Sequence, residues 1–207
     1  MSFKPQDHYF KQAKKEGYKA RSIFKLEEID QKYSIFDKNV RTVLDIGCAP
    51  GSWLQYAHDK LSQTRAGKQV ALPQDRIVIG FDIKDVDLQL PGLYTYNQDI
   101  QDIPAVEKIL ASHKIIKFDA IISDMAPNTI GFRDIDALRS VELLRMTLPL
   151  YEHFLKEGGK AVIKIFMWPG FEEFLKDFKA IVGSKNVKVF KPAACRKESK
   201  ETFIVKW

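Results

Sequence analysis

A chain of 207 residues, 45% hydrophobic and 29% charged, is long enough to bury one good core and reads as a soluble globular protein built as one domain with an appendage, expected to act as a monomer. Met1 to His8 are too polar for the apolar stretch of a signal peptide and the longest apolar runs are of strand length, which argues against export or a membrane span and makes the cytoplasm the expected compartment. Cys48 and Cys195 have no C-x-x-C partner, and His8, His58, His113 and His153 are scattered without ligand spacing, so neither a disulfide framework nor a metal centre is expected.

The formal charge of +6 is unevenly placed. Residues 1–25 carry Lys4, Lys11, Lys14, Lys15, Lys19, Arg21 and Lys25 against Asp7 and Glu16, a local excess of five positive charges. Tyr9, Phe10, Tyr18 and Phe24 are interleaved there, a combination that can bind phosphates by charge and bases by stacking, or can equally be a solvated helical face with packing aromatics. Helices are expected around 7–16 and 20–33, together a basic arm over residues 1–38 ahead of a core over 39–207.

The core opens with a strand near 41–46 that runs into Gly47-Cys48-Ala49-Pro50-Gly51-Ser52-Trp53 and then a helix over 52–61. Gly47 and Gly51 allow positive φ angles and close backbone approach, Pro50 stiffens the loop and Ser52 can cap the helix, an arrangement that suits a nucleotide-like ligand. The polar Ser62–Asp75 stretch reads as a surface loop. Strands near 77–82, 93–97, 118–123 and 160–166 then alternate with helices near 104–112 and 134–156, which predicts a parallel sheet covered on both faces. Phe171, Phe174, Leu175, Phe178, Ile181 and Val182 form a core-facing helical stripe, and two final strands, 186–190 and 202–207, flank the polar segment 191–201 with its cations Lys188, Lys191, Arg196, Lys197 and Lys200. This second basic stretch favours a polyanionic partner.

Three strands end in residues that an apolar pattern does not explain: Asp82, Asp124 and, inside the last parallel strand, Lys164. In an open α/β sheet the ligand crevice lies outside the carboxyl ends of the strands, so these side chains should converge above the glycine loop. Asp82 can accept hydrogen bonds from the hydroxyls of a ribose, and Asp99 is a candidate for an adenine amino group, although taken alone it is as readily a cap or turn residue. Lysine within an apolar strand carries a large desolvation cost unless it is paired or functional. If Lys25 lies beside Lys164, repulsion favours one neutral amine, able to accept the proton of a hydroxyl; the structural alternative is a Lys164 merely salt-bridged to Asp124.

Five segments resemble the successive motifs of the FtsJ/RrmJ-type ribose 2′-O-methyltransferases. They are Lys19-Ala20-Arg21-Ser22-Ile23-Phe24-Lys25-Leu26, Gly47 to Trp53, Ser123-Asp124-Met125-Ala126-Pro127-Asn128, Val162-Ile163-Lys164-Ile165-Phe166 and Ser199-Lys200-Glu201-Thr202-Phe203, in the family's order and across almost the whole chain. The resemblance implies a Rossmann-like S-adenosylmethionine-dependent methyltransferase fold, a mostly parallel sheet with an antiparallel C-terminal strand and helices on both faces. It implies a catalytic tetrad at Lys25, Asp124, Lys164 and Glu201, and cofactor contacts at Gly51, Trp53, Asp82, Asp99 and Asp124. The compact chain is most similar to the bacterial branch that methylates a uridine in large-subunit ribosomal RNA. The branch acting on the transfer-RNA anticodon loop has nearly the same motifs, and the long 62–75 loop keeps it in play. A catalytically silent RNA-binding assembly factor on the same fold would be expected to lose Lys164 or Asp124.

Overall fold

A computed structural model describes residues 8–63, 71–125, 133–167, 169–196 and 198–207, with side chains left aside over 133–141. Lys4, Ala126 to Asn128, Lys197 and the centre of the 62–75 loop lie outside the described residues. The elements are α1 His8–Lys15, α2 Ile23–Tyr33, β1 Thr42–Ile46, α3 Ser52–Leu61, β2 Ile77–Asp82, β3 Leu93–Asn97, α4 Ile103–Ser112, β4 Phe118–Ser123, α5 Arg133–Phe154, β5 Leu155–Phe166, α6 Phe171–Val182, β6 Val187–Phe190 and β7 Glu201–Lys206.

The described strands form one sheet in the order β3-β2-β1-β4-β5-β7-β6. β1 to β5 pair in parallel, and β7 runs antiparallel to both neighbours, β5 and β6. Side-chain alternation then sends Val43, Val162, Phe203 and Val205 into a core with α2 and α3, and Leu44, Ile46, Ile163 and Ile204 into a second core with α4, α5 and α6. Phe171, Phe174 and Phe178 are buried in the second core with Leu175, Ile181 and Val182 packed beside them, as the helical spacing requires. Among the described residues no helix is long and apolar enough to cross a membrane.

Two element starts and one helix cap depart from the sequence reading for local reasons. α2 begins at Ile23 instead of 20, because the N–H groups of Ile23, Phe24 and Lys25 bond back three residues to Ala20, Arg21 and Ser22 in a tight turn. β5 begins at Leu155, directly after α5, instead of near 160, and takes in Glu157-Gly158-Gly159; the register against β4 shifts between Phe118 and Ala120, and Gly158 takes φ +68° in the irregular stretch. Ser52 does not cap α3: Gly51, at φ +107°, holds the cap position, and the Ser52 hydroxyl lies 3.0 Å from that of Ser22.

The basic arm is fastened to the core. Lys19 N–H donates to Gln55 Oε1 at 2.8 Å, Gln55 Nε2 donates to Gly17 O at 3.1 Å, and Trp53 Nε1 donates to Ser22 O at 3.0 Å. Buried Asp30 accepts from Tyr56 Oη at 3.0 Å and Phe36 N–H at 2.8 Å, and Lys160 Nζ on β5 pairs with Asp37 at 2.7 Å.

Candidate active site

Parallel strands β2, β1, β4 and β5 are consecutive in the sheet, so their carboxyl ends share one edge. The glycine loop folds over it. Gly47, at φ +71°, donates its N–H to Phe81 O at 2.9 Å, and a Cβ there would lie 2.0 Å from Met125 Cγ, so only glycine fits. Asp82 ties the loop to β2: its carboxylate accepts the Ala49 N–H at 2.8 Å and the Lys84 N–H at 2.9 Å.

Beside the loop opens a cleft of about 740 Å³, lined by apolar Phe81, Ile83, Ile100, Met125 and Met146 together with Asp82, Asp99 and Asp124. Asp99 is both a turn residue and a lining residue, since its carboxylate accepts the Gln101 N–H at 2.9 Å at the edge of the cleft. Gly51 and Trp53 do not line it. Gly51 faces Val86 and Leu88, and the Trp53 ring, 2% exposed, is committed to Ser22 and stands 5.9 Å from the Phe203 ring.

Lys25, Asp124, Lys164 and Glu201 form two ion pairs. Lys164, 8% exposed, reaches from β5 to Asp124, with Nζ 3.0 Å from Oδ1 and also donating to the Asp124 main-chain carbonyl. Lys25, from α2, pairs with Glu201 at the start of β7, and its Nζ lies 6.0 Å from the centroid of Phe203. In the antiparallel register Lys164 faces Phe203 and Phe166 faces Glu201, which sets Lys164 and Glu201 as diagonal neighbours on one face of the sheet. Each lysine therefore has its own acid: Lys164 makes the salt bridge to Asp124 that the sequence offered as the structural alternative, and of the four residues Asp124 lines the cleft.

Sequence reading passed over Asp45. It is the penultimate residue of β1, 1% exposed, with no hydrogen-bond partner for either carboxyl oxygen among the described residues. Burial, reinforced by Asp124 and Asp82, pushes its carboxyl well above the ordinary carboxylate range. The signal was present, since an acid within the apolar strand Thr42–Ile46 is as anomalous as Lys164 within β5.

The arm's aromatics separate into two kinds. Phe24 is buried, Tyr9 packs against it at 5.4 Å, and Tyr18 packs on the core with its hydroxyl 3.4 Å from Asp59. Phe10 alone of the four is exposed, at 41%, beside Lys11, Lys14 and Lys15. Packing thus accounts for three of the four rings.

The FtsJ-like methyltransferase family model matches residues 18–207. A ribosomal RNA large subunit methyltransferase E from Bdellovibrio bacteriovorus is 39% identical over 206 residues, 99% of this chain and 97% of that protein. One of the same name from Nitratidesulfovibrio vulgaris is 40% identical over 204 residues, covering 98% of this chain and 92% of its own length. Among solved structures, a ribosomal RNA methyltransferase of Plasmodium falciparum superposes with a TM-score of 0.75 at 29% identity, covering 91% of this chain and 97% of that one. With the glycine loop, the acidic cleft and both ion pairs falling inside the matched span, the chain belongs to the FtsJ-like methyltransferase family.

Proposed function

We propose that this methyltransferase transfers a methyl group from S-adenosylmethionine to a ribose 2′-hydroxyl of ribosomal RNA, and that the target is a uridine of the large subunit. The relatives' names support ribosomal RNA as the substrate class. The observation that carries the chemistry is the buried Lys164–Asp124 pair at the edge of the cleft, with the Lys25–Glu201 pair on the same sheet face.

An apolar cleft edged by three carboxylates suits a flat adenine ring on a nucleoside joined to a positively charged sulfonium. Bound there, S-adenosylmethionine supplies a methyl group on a sulfonium. In this reading Asp82 accepts hydrogen bonds from the ribose hydroxyls of the cofactor and Asp99 from its adenine amino group, which their place in the cleft lining supports. Trp53, on the same reading, contributes through its main chain in the first turn of α3, its ring being bonded to Ser22 and packed near Phe203.

As the neutral amine, Lys164 Nζ would take the proton of the attacking 2′-hydroxyl while its O–H bond breaks, the oxygen bonds the methyl carbon, and the methyl–sulfur bond breaks to leave a neutral thioether. Asp124 holds the lysine in place, and Lys25 with Glu201 orients the incoming nucleotide. Lys11, Lys14 and Lys15 on α1, with Phe10 and the cations of the 191–200 segment, offer phosphates an electropositive surface.

Mapping 2′-O-methylated positions in total RNA from cells with and without the gene tests the reading. Loss of one methylated uridine in large-subunit RNA is the expected result. Loss of an anticodon-loop methyl group would move the substrate to transfer RNA, and an unchanged map would leave the protein as an RNA-binding factor.

A further inference from the structure

Three residues on one side of α2 and the turn that leads into it face the 191–201 segment: Arg21, just before α2, and Lys25 and Glu28 within it, spaced by four and three positions. Lys25 takes Glu201. The other two grip a neighbouring turn. Glu28 Oε2 accepts the Ala193 N–H at 2.6 Å, Glu28 Oε1 accepts the Ala194 N–H at 2.8 Å, and Arg21 Nη2 donates to Ala194 O at 2.6 Å. Both polar ends of Ala194 are therefore held from the arm, and the adjacent Cys195 is buried with its Sγ 3.9 Å from Glu201 Oε1.

Charge explains why this grip is needed. The segment carries Lys191, Arg196 and Lys200 toward an arm end that itself carries Arg21 and Lys25. Burial, and then the nearness of Arg196, holds the Arg21 guanidinium below its ordinary value, so like charges do meet across this contact. Glu201 is the anion nearest these cations, and Glu28 adds a second that binds main-chain donors in the charge-assisted geometry that is stronger than a neutral hydrogen bond. Within the segment Lys191 Nζ donates to Ser199 O at 2.6 Å, and the Lys200 carbonyl accepts the Met167 N–H at 3.1 Å at the end of β5. These contacts tie both ends of the segment, so that a displacement at Ala193–Ala194 would bear on Glu201.

We propose that Glu28 is a positioning residue for methyl transfer: by accepting two consecutive main-chain N–H groups it seats the basic 191–200 segment on α2, fixes Glu201 against Lys25 and sets the two basic segments as one rim for RNA. The catalytic part of this statement rests on the reading of the site as an RNA methyltransferase; the seating part does not.

The test uses Glu28→Ala and Glu28→Gln in the full chain, with three readouts. Amide hydrogen exchange at Ala193 and Ala194 should accelerate at least about tenfold in Glu28→Ala while the sheet keeps its protection. Methyl transfer to RNA should fall about tenfold or more in kcat/KM, with kcat itself reduced, while cofactor affinity stays within twofold. Glu28→Gln, which keeps one carbonyl acceptor, should fall between the wild type and Glu28→Ala on both counts, and it serves alone if Glu28→Ala does not fold. Unchanged exchange at 193–194 overturns the seating, and unchanged kcat with altered exchange overturns the positioning role. A wild type that transfers no methyl group to any RNA overturns the methyltransferase reading and with it the positioning role, while the exchange data still decide the seating.

Discussion

Asp82 accepts the Ala49 N–H at 2.8 Å, so the acid at the end of β2 shapes the glycine loop as well as facing the cleft that the loop borders. The two duties share one carboxylate.

Asp82→Ala should accordingly weaken S-adenosylmethionine binding by about 1.5–3 kcal/mol, the worth of hydrogen bonds to a charged group. Asp82→Asn, which keeps one acceptor oxygen, should lose less. Calorimetry on the purified chain without RNA measures both. Wild-type affinity in Asp82→Ala would remove this residue from the cofactor site.

Lys164→Ala should abolish methyl transfer while cofactor and RNA affinities stay nearly unchanged, because a proton acceptor for the hydroxyl acts only in the transition state. Lys164→Arg should be no better, since a guanidinium keeps its proton at working pH. Transfer of a labelled methyl group to RNA is the readout, and substantial activity in the arginine variant would take the proton-acceptor role from Lys164.

Asp45→Asn should stabilise the protein. A carboxyl whose affinity for its proton is raised by folding makes the native state bind more protons than the unfolded chain, so stability falls as pH rises from the unfolded value, about 3.9 for Asp, toward the raised native one. The amide does not titrate. At pH about 8 the variant should melt higher than wild type, by about 2–4 °C for each kcal/mol relieved, and the gap should close as pH falls toward about 4. Scanning calorimetry across that range checks the sign, and parallel melting curves would show that Asp45 titrates normally.

Replacing Lys11, Lys14 and Lys15 together should weaken binding of every RNA and flatten the dependence of log affinity on log salt by up to about 0.7–0.9 for each lost phosphate contact. Cofactor affinity should not change. Choice of nucleotide should survive, because phosphate contacts position the RNA without reading it. A salt slope indifferent to the three lysines would refute the basic surface of α1.

The parallel core was legible because its strands are short apolar runs that end in chemically anomalous residues: Asp82, Asp124 and Lys164 announce themselves by interrupting a pattern. Asp45 interrupts one equally, yet the glycines that follow it drew the reading to the loop. Glu157-Gly158-Gly159 carries turn chemistry but sits in a register shift of β5, which only strand pairing with β4 can display. Tyr9, Tyr18 and Phe24 illustrate the limit of composition. An aromatic among lysines can stack on a base or fasten a helix, and the choice depends on which helix face meets the core. Nothing local relates Lys25 to Glu201; the family resemblance put both in one tetrad, and their pairing is set by the antiparallel course of β7.

Lys25 and Glu201 are separated by 176 positions, so their ion pair joins the far ends of a fold whose cleft residues Asp82, Asp99 and Asp124 fall within the central stretch. Closing so long a loop is entropically demanding and contributes to a high contact order, which places this pair among the late events of folding and the early losses on partial opening. Loosening of the arm alone would therefore silence transfer while the cleft still holds its ligand. In a denaturant titration the loss of activity should precede the loss of cofactor binding, and the interval between the two measures how independently the halves of the site are held together.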